Sequence, residues 1–193
     1  MIKYSIIFIL LLSSFHVSAQ KVSLKDIAMN TPRSGYGIAG QQAPELAVAQ
    51  WIDGSGLESS EFKLSDYEGK FKVLYCFQAW CPGCHSRGLP SLQKMTKALE
   101  GSDKVVFAAI QTVFEGKGSN TFDRMVEIQK EYDLQIPFGH DVGAGTPRNI
   151  SATMQQFRTG GTPWFIFIDE TGKVVFNDYH LNTDKAIEYL KEL

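Results

Sequence analysis

The sequence predicts an α/β fold in which a central mixed sheet is flanked by helices. Three observations carry that prediction. Two apolar runs, Phe71–Phe77 and Val105 to Ile110, read as strands covered on both faces. Each is followed by apolar residues at helical spacing, so strand and helix alternate. A hairpin and a final helical segment close the chain, which is the order of a sheet with helices packed on both sides.

Each element has its own signature. Leu89, Leu92, Met95 and Leu99 lie on one helical face, with Gly101 as the stop. After the second strand, Phe122, Met125, Val126 and Tyr132 mark another helix, for which Asn120 is the candidate cap. Ile136-Pro137-Phe138 leads into a polar loop with two glycines and Pro147, and Ile150 to Phe157 can form a short helix. Trp164–Ile168 is the most apolar strand of the mature chain. Asp169-Glu170-Thr171-Gly172-Lys173 turns it into Val174-Val175-Phe176, completing the hairpin. Thr183 is the expected cap of a last helix carrying Ile187, Leu190 and Leu193 on one face.

The 193 residues, 44% hydrophobic and 21% charged, suffice for one well-buried core. At the N-terminus Lys3 precedes an apolar run from Ile6 to Leu12, and Val17-Ser18-Ala19 has small residues where a signal peptidase reads. Residues 1–19 are therefore read as a cleaved secretory signal. The weaker alternative is an uncleaved membrane anchor, because Ser13, Ser14 and His16 cut the run below the roughly 18 apolar residues of a spanning helix. Residues 20–39 have no clean period and are expected to form a loose extension, leaving 40–193 as the folded domain. Without Lys3, 18 basic residues face 21 acidic ones, and no basic cluster appears, so nucleic acid is not an expected partner.

Three cysteines are too few for a disulfide-stapled scaffold. Two of them stand two residues apart, in Trp80-Cys81-Pro82-Gly83-Cys84, directly after the first core strand. At a helix start this spacing brings both sulfurs within bridging distance, the first exposed and the second beneath it. Cys81 is then the attacking thiol and Cys84 the resolving one. Pro82 suits a first helical turn, and the positive end of the helix, aided by a cation such as Arg87, favours the Cys81 thiolate. A permanent bridge seldom spans two residues at a strand-to-helix junction. Half of a zinc site would require two more ligands at matching spacing, and His85, His140 and His180 are scattered. Dithiol exchange needs no metal or cofactor, and none is expected. Cys76, inside the first core strand, is read as a small hydrophobe.

With Gly161-Thr162-Pro163 just before the hairpin, the motif and element order resemble the thioredoxin superfamily. Gly40-Gln41-Gln42-Ala43-Pro44-Glu45-Leu46, Leu64-Ser65-Asp66-Tyr67-Glu68-Gly69-Lys70 and Phe167-Ile168-Asp169-Glu170-Thr171-Gly172-Lys173 resemble its exported TlpA-like disulfide reductases, over about residues 40–193. The helix within 120–132 is similar to the insertion of that branch. The resemblance implies a thioredoxin fold and a cis Pro163 facing the cysteine pair. It also implies a Thr162 backbone that pairs with extended substrate, and a Trp80 that shapes the approach to Cys81. The implied activity is reduction of disulfides in proteins or small molecules outside the cytoplasm, in the periplasm, with a periplasmic or membrane thiol as electron donor; the reverse direction uses the same atoms, and Pro82-Gly83 does not by itself set the potential.

The chain also departs from the family. Arg87 replaces the glutamate common three residues after the second cysteine, and Pro90 falls one position later than the usual helix proline. Tyr75 stands where cytoplasmic thioredoxins bury an aspartate, so the acid-base helper is unidentified; His85, adjacent to the pair, could serve, but an exposed helix histidine is more often a bystander. Two rival functions share the fold. Peroxiredoxins place a threonine three residues before the reactive cysteine, where this chain has Gln78. Copper-delivery modules use two cysteines, usually spaced three apart, with a distal histidine such as His140.

Overall fold

The structure, a computed structural model, describes residues 21–29, 35–59, 61–146 and 149–193. The proposed signal, residues 1–19, lies outside them. Seven described strands form one sheet in the order β2-β1-β5-β4-β3-β6-β7. They are β1 (Gln50–Ile52), β2 (Glu58–Ser59), β3 (Phe71–Phe77), β4 (Val105–Thr112), β5 (Phe138–Asp141), β6 (Trp164–Ile168) and β7 (Val174–Asp178). The helices are α1 (Leu24–Ile27), α2 (Leu89–Ala98), α3 (Phe122–Glu131), α4 (Ala152–Gln156) and α5 (Thr183–Lys191). β3 pairs parallel with β4 and antiparallel with β6, and β5 adds parallel to β4, so the sheet is mixed.

β3 is the central strand, and its alternation explains why the site at its end is rigid. Phe71, Val73, Tyr75 and Phe77 enter one core with Leu89, Leu92 and Met95 of α2. Leu74 and Cys76 enter the opposite core with Ala108, Ile110, Ile166 and Ile168. A strand filled on both faces resists a register slip, because moving by one residue would exchange its two sets of side chains.

Four expectations are corrected. The extension before residue 40 is not loose in its described part. Ile27 of α1 is fully buried, Asn182 N–H donates to Ile27 O at 2.8 Å, and Gly37 N–H donates to Arg158 O at 2.9 Å. α3 is capped by Thr121, whose hydroxyl accepts from Arg124 N–H, not by Asn120. α5 is capped by Asn182, which accepts from Lys185 N–H, while Thr183 Oγ1 donates to Ser91 Oγ. In both helices a better-placed polar residue one position away takes the capping geometry. The segment read as leading into a loop contains β5, whose Gly-His-Asp residues hide the usual strand pattern. Its Asp141 is buried and accepts from Ser151 Oγ and the N–H groups of Ala152 and Thr153, fixing the start of α4.

Candidate functional site

The chain leaves β3 at Phe77, turns through Gln78 to Cys81, and enters a helix at Pro82. Cys81 N–H donates to Gln78 O at 3.1 Å, closing that turn. The first full turn after Pro82-Gly83 is π-helical, Cys84–Gly88, and α2 continues from Leu89. A π-turn places one extra residue in the helix and recurs at functional sites. Here it lets Gly88 approach the centre of the site.

Thr162-Pro163 is a cis peptide. Pro163 is buried and faces both glycines of the motif helix. A Cβ on Gly83 would stand 3.3 Å from Pro163 Cδ, and one on Gly88 2.8 Å from Pro163 Cβ. The structure thus brings Cys81, Cys84, Thr162 and Pro163 together, with Trp80, 46% exposed, at the rim. One expectation changes. Cys81 keeps only 7% of its surface rather than being openly exposed, and Cys84 has none. All three cysteines, Cys76 included, are free thiols.

The two sulfurs are electrostatically unequal. The Cys84 thiol is the strongest influence holding the Cys81 thiol down, against the opposing effect of burial. The Thr162 side chain and the N–H groups of Cys84 and Gly83 add to it, bringing its pKa to about 5. Cys84 N–H lies 3.3 Å from Cys81 Sγ, a backbone donor supplied by the helix start. Sγ also lies 3.5 Å from Thr162 O, to which only the protonated thiol can donate. Cys84 moves the other way, pushed up first by burial and then by the sulfur it supports. Burial also raises Cys76, on the opposite face of β3. Arg87 is not among the groups that lower Cys81. It lines a separate cavity of about 560 Å³ beyond Gly88, with Lys94, Phe165 and His180.

A buried polar clamp holds the turn before Cys81. Ala79 N–H donates to Asn120 Oδ1 at 2.7 Å, and Ala79 O accepts from His85 Nε2 at 2.7 Å. That bond fixes the His85 tautomer, leaving Nδ1 to accept from Tyr132 at 2.9 Å. Asn120 also donates to Gly116 O, and the Trp80 indole rests on Gly116, where a Cβ would be 2.8 Å from Nε1. The segment from Gly116 through α3 to Tyr132 therefore grips the turn at both ends. His85 is not the exposed bystander expected, and Asn120 was visible in the sequence only as a cap candidate.

The family model described as Redoxin matches residues 38–191. The chain belongs to the Redoxin family. A thioredoxin-like superfamily protein of solved structure is 31% identical, with 73% of this chain and 87% of that one covered at a TM-score of 0.64. A thiol-disulfide isomerase from Corynebacterium glutamicum is 26% identical over 77% of this chain and 92% of its own, at 0.65. A secreted disulfide oxidoreductase from Mycobacterium tuberculosis, at 20% identity, 75% and 95% coverage and 0.54, shares the fold. No curated protein matches the chain.

This redoxin is thus a member of the thioredoxin superfamily with a general thiol redox function. A lowered thiol in the redoxin site has a direct consequence. Alkylation of the reduced protein with iodoacetamide should follow a titration centred near pH 5, with Cys81 about 99% thiolate at pH 7. Cys84, raised and buried, should stay unreactive over the same range. The modified residue is identified by peptide mass, and a Cys81 midpoint at pH 8 or above would contradict the site geometry.

Proposed function

We propose that the protein is an exported, TlpA-like thiol-disulfide oxidoreductase that reduces disulfides through Cys81 and Cys84. The observation that carries this reading is the inequality of the two sulfurs. One is a partly reachable thiolate at a helix start beneath Pro163, and the other is a buried, protonated partner in the next helical turn. The Cys81 thiolate attacks a substrate disulfide R–S–S–R′, forming Cys81–S–S–R and expelling R′–S⁻, which takes a proton from solvent. Cys84, on losing its proton, attacks Cys81 Sγ and expels R–S⁻, which is protonated in turn. The substrate gains two electrons and two protons, and the protein ends as the Cys81-Cys84 disulfide. A thiol donor in the periplasm or at the membrane must restore the dithiol.

Trp80 at the rim and the Thr162 backbone fit the approach of an extended substrate. Export rests on the signal-like residues 1–19. Among the described residues, no helix is long and apolar enough to cross a membrane. The rival functions lack support from the residues they would use. Gln78 is buried, with its amide donating to Thr112 O and its carbonyl accepting from Asn120. His140 is engaged at both ring nitrogens, by Asn120 O and Gln50 Oε1.

The attacking thiol also bears on direction. Thioredoxin, with a thiol pKa of about 7, has a potential near −270 mV, and about 30 mV accompanies each tenfold change in the equilibrium. Lowering the Cys81 thiol stabilises the dithiol relative to the disulfide and so moves the potential upward from that of a thiol near 7. Structural disulfides, typically below about −300 mV, then lie out of reach, whereas strained or exposed ones are reducible. The test is the potential of the exported protein, with its mass reporting whether residues 1–19 are gone. A value between about −270 and −200 mV on a chain lacking Lys3 is expected, whereas one near −120 mV would make it an oxidant.

A further inference from the structure

We propose that Tyr75 donates a hydrogen bond to the Cys84 thiolate as that sulfur resolves the mixed disulfide. The proposal rests on the dithiol reading above and deepens it. Tyr75 is fully buried at the centre of β3, its ring packed against Phe77 and Phe165. Its hydroxyl is a buried polar atom with no hydrogen-bond partner among the described residues. Such a group is costly to bury unless another state of the molecule supplies a partner.

The surroundings of that hydroxyl point to one partner. On the helix side the π-turn brings Gly88 against it, where a Cβ would stand 2.1 Å from Tyr75 Oη. At the other end of the same turn is Cys84, whose thiol and the phenol act on one another. In the dithiol state the contact falls short of full hydrogen-bond geometry, as suits a thiol, which is a weak acceptor. A thiolate is a strong one. The hydroxyl therefore gains its partner when Cys84 ionises, and stabilisation confined to the reacting state accelerates a step.

The phenol cannot serve as the base. Burial holds its own pKa well above the ordinary value, so it stays a neutral donor throughout the physiological range. The electron pair of Cys84 Sγ forms the Cys81–Cys84 bond while the Cys81–substrate bond breaks. The proton that Cys84 gives up is balanced by the one the departing R–S⁻ takes, and the Tyr75 proton never leaves its oxygen. The titratable groups around Cys84 include Cys81 from the turn, the adjacent His85 of the π-turn, Tyr75 from β3 and Tyr132, which meets His85 Nδ1, from the end of α3, with Cys76 acting on Tyr75 along the strand.

The test separates the two steps. The reduced protein mixed with one equivalent of bis(nitrothiobenzoate) disulfide releases one coloured thiolate when Cys81 attacks and a second when Cys84 resolves. Tyr75→Phe keeps the ring and removes only an unpartnered oxygen, so the variant should fold. Its first release should be unchanged, and its second should slow about tenfold or more, with the pH dependence of that phase displaced upward. An unchanged second phase would overturn the proposal, as would equal slowing of both phases, the mark of a merely structural role. Wild-type protein that releases only one thiolate and forms no internal disulfide would instead remove the dithiol reading itself, and this proposal with it.

Discussion

Cys84→Ser is expected to accumulate mixed disulfides between Cys81 and its natural substrates, while Cys81→Ser accumulates none. Attack requires the Cys81 thiolate, which the site holds ionised near neutrality and leaves 7% exposed. Release requires Cys84, the only other thiol in the site; Cys76 projects into the opposite core. Serine at 84 is far too poor a nucleophile to finish the exchange, so disulfide turnover should fall on the order of 10³-fold. In Cys81→Ser the remaining site thiol is fully buried with a raised pKa, so it should neither attack nor be trapped. Non-reducing gels of cells expressing each variant, with mass identification of the adducts, provide the measurement. Trapping by Cys81→Ser alone would exchange the two roles, and trapping by neither would remove the main support for catalysis.

Gly88→Ala should destabilise the protein even though alanine is the better helix former by about 1 kcal/mol. Gly88 has ordinary right-handed helical dihedrals, φ −64° and ψ −56°, so the constraint is space rather than backbone conformation. The added methyl would meet Tyr75 Oη at 2.1 Å, Tyr75 Cζ at 2.7 Å and Pro163 Cβ at 2.8 Å. None of these is the loose end of a flexible side chain, so β3, the Pro163 loop or the π-turn must move. Overpacking of this kind costs about 1–3 kcal/mol, or roughly 2–12 °C in Tm for a domain of this size. Thiol exchange should also slow, because Pro163 lies over Gly83 at the cysteine motif. Combining Gly88→Ala with Tyr75→Phe should recover part of the loss, since it removes the 2.1 Å contact but leaves the other two. Thermal unfolding of the three variants tests this, and a wild-type Tm for Gly88→Ala would show that the packing is not as described.

Much of the frame was legible because its signals are local. Phe71–Phe77, Trp164–Ile168 and the following hairpin announce themselves by apolar runs and turn residues. The helix positions of Leu89, Leu92 and Met95 follow from spacing. β5 was not legible, since Phe138–Asp141 carries glycine, histidine and aspartate in a strand buried along its length. The caps of α3 and α5 were each misplaced by one residue, because adjacent polar residues differ little in local preference and the fold selects between them.

Local pattern determined, by itself, the α/β order and the Cys81-Cys84 pair at a strand-to-helix junction, whereas Thr162-Pro163 was picked out only by the resemblance to the thioredoxin superfamily. The first two depend on residues near one another in the chain. Tertiary structure alone decided that Cys81 is nearly covered, that Arg87 lines a separate cavity beyond Gly88, and that Asn120 and His85 hold Ala79 from opposite sides. It also decided that Tyr75 points an unpartnered hydroxyl at the π-turn. Asn120 lies 41 residues from Ala79 and Tyr132 lies 47 from His85. Composition and periodicity report which face of an element is apolar. They do not report which groups from distant segments meet in the space where that face is buried, as Thr162 meets Cys81 from 81 residues along the chain.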